Sequence, residues 1–166
     1  MSAIRRAMMG KGGGEKADNY IYYGVFVASN NTSRYLWTGS TDLVAEMWLD
    51  GVQITPVASM TFATAGTYQM KVLLTNPATI PNSALNAGHY RDAILPACVT
   101  YIDTNAFRNY GTSGVTPITC LATTPPALNG DPFYNRHGNP LYVPADSVTA
   151  YQTAWSMMTN ISAITT

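Results

Sequence analysis

The sequence predicts a mainly β protein, and three observations predict it. Eleven Tyr, three Trp and four Phe stand in a Thr-rich chain of 166 residues, and aromatic and β-branched side chains suit a pleated, half-buried surface. The apolar runs are short and are punctuated by turn chemistry such as Asn30-Asn31, Asp50-Gly51 and Ala65-Gly66. Charged helix-forming runs are absent, and one stretch alone, 144–158, carries a convincing helical period.

Residues 1–19 read as an arm joined to a folded body. Arg5, Arg6, Lys11 and Lys16 outweigh Glu15 and Asp18, and Gly12-Gly13-Gly14 forms a flexible joint. A solvated tail is the commoner fate of such a terminus. The Ala7-Met8-Met9 stretch between the arginines and the glycines favours an arm that docks, because Met fills irregular grooves. Arg5, Arg6, Met8, Met9 and Lys11 are the candidate anchoring residues.

Residues 20–75 read as all-β. Tyr20 to Val27 forms an aromatic and β-branched strand, and Arg34 to Thr38 a second short one. Leu43 to Leu49 meets Asp50-Gly51 and then Val52-Gln53-Ile54, a strong hairpin signal because both turn residues accept positive φ. Thr55-Pro56 ends that strand. Ser59 to Phe62 and Tyr68 to Leu74 follow, the latter with Tyr68, Met70, Val72 and Leu74 on one face.

In residues 76–166, Asn76-Pro77 breaks the preceding strand, Ile80 to Leu85 and Leu95 to Phe107 look like successive repeat units, and Val115 to Phe133 makes another with a rigid Thr123-Thr124-Pro125-Pro126 corner. Leu141-Tyr142-Val143 is a short strand running into a helix over 144–158. Pro144 sits near its start, with Asp146 or Ser147 able to cap it. Val148, Tyr151, Trp155 and Met158 fall on one helical face, a core-sealing stripe. Ile161 and Ile164 suggest a last edge strand.

Two resemblances attach to these residues. Phe62 to Val72, with Ala65-Gly66 before a Tyr-led strand, resembles the ending of PKD-like, immunoglobulin-type domains. Leu95-Pro96-x-Cys98-Val99-Thr100-x-Ile102-Asp103-x-Asn105-Ala106-Phe107, the Cys120 to Leu128 stretch and the Leu141 to Trp155 ending resemble the C-terminal end of a BspA-type leucine-rich repeat protein. Together they imply a small immunoglobulin-like β-sandwich at 20–75, followed at 76–166 by a short BspA-type repeat stub closed by one C-terminal helix. Val99, Ile102 and Phe107 would close its layers, and Val148, Tyr151 and Trp155 would seal its end. Asp103 stands where that family has Gly, so Asp is expected to take the turn. So few repeats cannot form an independent solenoid, since each buries its apolar face only on a neighbour. The stub is expected to pack on the β-domain, on the terminal helix or on other subunits.

The reactive residues are sparse. His89 and His137 sit in loop-like stretches without ligand spacing, and are expected to be exposed or locally bonded. Cys98, on a predicted strand, and Cys120 read as buried thiols, with a Cys98–His89 pair left open. Asp42, Glu46 and Asp50 do not follow a calcium-loop pattern. Gly12-Gly13-Gly14 lacks the preceding strand and closing Lys-Ser or Lys-Thr of a phosphate loop. No enzyme activity, cofactor or metal is expected.

Charged residues make up 11% of the chain and the formal net charge is zero. So little repulsion between copies points to a surface partly covered by other subunits. No apolar run reaches the ~18 residues of a membrane span, and the short apolar stretch behind Arg5-Arg6 does not read as a secretory signal. Three arm cations support only salt-sensitive, non-specific contact with nucleic acid. The resemblances imply a non-catalytic virion structural protein of a bacteriophage of gut Bacteroidetes, a head fibre, capsid decoration or tail component assembled in the host cytoplasm. Its expected partners are capsid or tail proteins, further copies in a symmetric homo-oligomer such as a trimer, and a host surface, with neither a membrane nor a specific nucleic acid. A BspA-type bacterial surface adhesin is the alternative.

Overall fold

The computed structural model describes residues 18–112 and 115–165, and the anchoring-arm residues Arg5, Arg6, Met8, Met9 and Lys11 lie outside that range. The described chain is mainly β, with one short α-helix near its C-terminal end.

In chain order the N-terminal strands are β1 (Ile21–Val27), β2 (Thr32–Tyr35), β3 (Val44–Leu49), β4 (Val52–Ile54), β5 (Ser59–Phe62) and β6 (Gly66–Leu74). β1 alternates as its sequence demands, with Ile21, Tyr23, Val25 and Val27 buried and Tyr22 and Phe26 outward. β6 likewise buries Met70, Val72 and Leu74, with Tyr68 half-buried. Asp50 and Gly51 take φ values of 48° and 82°, the pattern of a type I′ turn, and pair Leu49 with Val52 and Met47 with Ile54. β2 ends earlier than the sequence suggests. Leu36 and Trp37 leave the ladder and turn fully inward, where the Tyr23 hydroxyl donates to the Leu36 carbonyl.

The C-terminal strands are β7 (Thr79–Ile80), β8 (Tyr90–Leu95), β9 (Tyr101–Ile102), β10 (Ile118–Cys120), β11 (Ala127–Leu128) and β12 (Leu141–Val143). The helix α1 (Val148–Ala154) and β13 (Ile161–Ala163) complete the chain. Strands on this side alternate between two sheets. β7, β9 and β11 form a parallel three-stranded sheet, while β8, β10, β12 and β13 run parallel in the large sheet. The chain therefore winds as a stack of coils, each placing like residues in register. Ala93, Ile118, Leu141 and Ile161 form one row, and Leu95, Cys120, Val143 and Ala163 another.

The large sheet has the order β13-β12-β10-β8-β1-β6-β3-β4. It passes from the C-terminal coils into the N-terminal strands without a break at residue 75. β8 is the junction, parallel to β10 on one side and antiparallel to β1 on the other. A register shift lies opposite Tyr22 and Gly24, and Asp92 in β8 takes φ 49°, the signature of a bulge. One cluster of buried side chains runs from Ile21, Met47 and Met70 to Val143, Tyr151 and Trp155. Tyr23 and Tyr90 meet edge-to-face at 5.4 Å across the junction.

Three local expectations are corrected. The helix is shorter than 144–158: a 3₁₀ turn at Ala145–Ser147 leads into α1, and Trp155 leaves helical geometry at φ −115°, ψ 48°. Neither Asp146 nor Ser147 caps α1, and the Ser147 hydroxyl instead donates to the Thr123 carbonyl at 2.7 Å. At the turn after β9 the left-handed residue is Asn105, at φ 57°, rather than Asp103. The Asp103 carboxylate is used otherwise, accepting from Asn129 Nδ2 at 2.8 Å and tying neighbouring coils together.

Candidate interaction surface

Each coil carries a two-residue knot at the same offset from its small-sheet strand: Ala84-Leu85 after Ile80, Ala106-Phe107 after Ile102, and Pro132-Phe133 after Leu128. The Leu85 amide donates to the Ala106 carbonyl and the Phe107 amide to the Pro132 carbonyl, both at 2.8 Å. The aromatic rings consequently stack in file. Phe107 lies 5.3 Å from Phe133, and Phe133 lies 5.2 Å from Trp155. Tyr151 closes the file edge-to-face on Trp155 at 5.0 Å.

The core-sealing residues proposed from sequence are placed together. Val99, Ile102, Phe107, Tyr151 and Trp155 are buried, and Val148 is half-buried against the same cluster. Trp155 Nε1 donates to the Pro126 carbonyl at 2.9 Å and the Tyr151 hydroxyl to the Ala122 carbonyl at 2.8 Å. The lid is thus sewn onto the Ala122–Pro126 corner by donors that would otherwise be buried without partners.

The histidines and cysteines are held apart in structural contacts. His89 Nε2 meets the Tyr35 carbonyl at 2.8 Å, and its ring packs on Tyr90. Burial pushes the imidazole below its usual range, and Arg34 and Arg91 add to this. His137 Nε2 contacts the Asp131 carboxylate at 2.9 Å. Both cysteines are free thiols. Cys98 lies in a turn rather than on the predicted strand, with Sγ 3.4 Å from the Pro77 carbonyl. Cys120 is buried beneath the Tyr151 hydroxyl, and burial raises its pKa. Among the described residues no three His, Cys, Asp or Glu side chains gather as metal ligands, and no helix is long and apolar enough to cross a membrane.

The outer face of the large sheet holds a cluster that the sequence reading did not single out. Tyr22 pairs with Lys71, and Lys71 with Trp48, across β1, β6 and β3. The Lys71 amine stands 3.9 Å from the centre of the Tyr20 ring, with Tyr22 and Trp48 at 5.8 and 5.7 Å. The Glu46 carboxylate accepts from the Tyr20 hydroxyl at 2.6 Å and from Trp48 Nε1 at 3.2 Å. That bond pushes the Tyr20 pKa up to about 12 and holds Glu46 below its usual range. The result is a half-exposed aromatic shelf whose polar tips are already mutually satisfied, suited to contact rather than proton transfer. Alternation of Tyr20 and Tyr22 against Ile21 and Tyr23 was the available signal, but the partners Trp48 and Lys71 come from distant strands.

Among the described residues the large sheet ends in β13 on one side and β4 on the other, and neither strand contains a charged residue. Edges normally carry charge, Pro or a bulge to discourage pairing. Val52 is 65% exposed on β4 and Ile54 is half-buried, so the inner apolar row of Met47 and Leu49 runs out to this last described strand. Neither a protein-family model, nor a curated protein, nor a solved structure matches the chain.

Proposed function

We propose that this chain is a non-catalytic structural protein of a bacteriophage virion, a head fibre, capsid decoration or tail component, working through assembly with virion proteins and copies of itself. The observation that carries this reading is the eight-stranded sheet ending in two short, uncharged edge strands. Open, uncharged edges on a chain of zero net charge favour association over solubility. The finer fold assignment belongs to the same proposal. Residues 76–166 act as a BspA-type repeat stub, supported by the aromatic file and the parallel coil rows. Residues 20–75 act as an immunoglobulin-like unit, supported by the β2–β5 pair joined to β1 through Tyr23 and Leu36.

The test is antibody labelling of purified phage particles and of intact bacteria, viewed by electron microscopy. Labelling at fixed, symmetric positions on particles is expected. Labelling confined to the outer surface of cells would replace this reading with the BspA-type adhesin, and particles bare of label would end the virion assignment.

A further inference from the structure

We infer that β4 is a homodimerisation strand: two copies of this chain pair β4 against β4 in antiparallel fashion around a two-fold axis, extending the large sheet from one molecule into the next. The inference rests on the assembly reading above and names the partner of that edge.

The hairpin decides which backbone groups are free. In a two-residue type I′ hairpin the residues flanking the turn form a hydrogen-bonded pair, and bonded and non-bonded pairs then alternate. Leu49 and Val52 flank the turn, followed by Trp48 with Gln53 and Met47 with Ile54. Val52 and Ile54 therefore direct their N–H and C=O toward β3, whereas Gln53 directs both outward to the open edge. A second β4 centred on Gln53 satisfies those groups reciprocally, each Gln53 donating to and accepting from its counterpart. Such a contact is isologous, and a two-fold axis closes it.

The same register suits the side chains. Pairing centred on Gln53 sets Val52 of each copy opposite Ile54 of the other, twice over. It covers the exposed Val52 and continues the inner apolar row of Met47 and Leu49. On the outer face Gln53 meets Gln53 beside Trp48. Asp50 falls opposite Pro56, so no carboxylate faces another across the axis. Shifting the register by one residue toward the turn sets Asp50 against Ile54, and shifting it the other way sets Val52 against Pro56, which has no N–H to give. The charge pattern and the free backbone groups thus select one register, and the symmetric unit is a two-fold pair in place of the trimer expected from sequence.

The experiment is analytical ultracentrifugation of the full chain at high micromolar concentration, with Gln53→Pro, Val52→Lys and, as a control on the opposite edge strand β13, Ser162→Lys variants. The wild-type and Ser162→Lys proteins should sediment at twice the 17.9 kDa chain mass, and Gln53→Pro and Val52→Lys at the single-chain mass with unchanged circular dichroism. Proline is compatible with an outward-facing edge position. If Gln53→Pro unfolds the protein, Val52→Lys, which leaves the backbone intact, carries the test. A single-chain mass for the wild type, a dimer that survives Val52→Lys, or dissociation caused by Ser162→Lys alone would overturn the inference. Labelled particles together with a monomeric chain in solution would retain the virion reading and reject only the β4 dimer.

Discussion

Phe107 and Phe133 lie 5.3 Å apart with only 12° between their ring planes. They belong to neighbouring coils, and each follows its small-sheet strand at the same offset. Phe133 is the middle member of the file and touches both Phe107 and Trp155. A gap there would separate the lid from the coils beneath it.

Phe133→Ala should therefore destabilise the protein by about 3–5 kcal/mol, from lost transfer energy plus an unfilled cavity. For a chain of this length that lowers Tm by roughly 10 °C. Thermal melting followed by circular dichroism measures it, and a shift of only a degree or two would show that the file does not bear on stability.

Two glycines separate backbone conformation from packing. Gly51 has φ 82° and open space where a Cβ would go, so Gly51→Ala should cost only the left-handed penalty of about 1–2 kcal/mol. At Gly111, φ 63°, a Cβ would sit 2.5 Å from Thr116 Cβ and closer still to its hydroxyl. Gly111→Ala adds overpacking to the same backbone cost, about 2–5 kcal/mol in all. Urea denaturation of the two variants should rank them in that order.

Stability should also depend on acid through His89. Its ring is held below the usual imidazole range, first by burial and then by Arg34 and Arg91, while the bond to the Tyr35 carbonyl works the other way. The folded state therefore prefers the neutral ring. Its contribution is present above the ordinary histidine value near ~6.5 and is lost as pH falls from there through the lower folded-state value. Denaturation midpoints measured across this range should fall for the wild type and fall less for His89→Gln. Equal slopes would exclude His89 as the source.

The two thiols should differ in reactivity. Cys98 is half-buried in a turn, whereas Cys120 is fully buried beneath Tyr151; burial raises the pKa of both thiols, so access separates them. Thiolates are the reactive form. Iodoacetamide followed by mass spectrometry should modify Cys98 in the native protein and add Cys120 only in denaturant. Early labelling of Cys120 would mean that the lid opens freely.

Much of the local structure was legible from residues. The Asp50-Gly51 hairpin, the inward face of β6 and the Tyr151–Trp155 stripe rest on backbone preferences and periods that adjacent residues carry. β8 was not legible. Its Arg91-Asp92 pair interrupts the apolar pattern, and only the bulge at Asp92 and the packing of Arg91 on Phe26 at 5.2 Å make a strand there workable. Asp103 and Asn105 exchanged roles for a similar reason, since Asn129, which holds the Asp103 carboxylate, lies a full coil away.

By itself the sequence determined the mainly β character, the turns and the apolar lid, because turn φ values and side-chain alternation are local properties of the chain. The tertiary structure alone decided that the N-terminal strands and the C-terminal coils share one sheet. It also decided that Lys71 meets three aromatic rings and that β4 stands at the edge of the described sheet. Strand order depends on which distant backbones satisfy one another's hydrogen bonds, and no run of neighbouring residues records that choice.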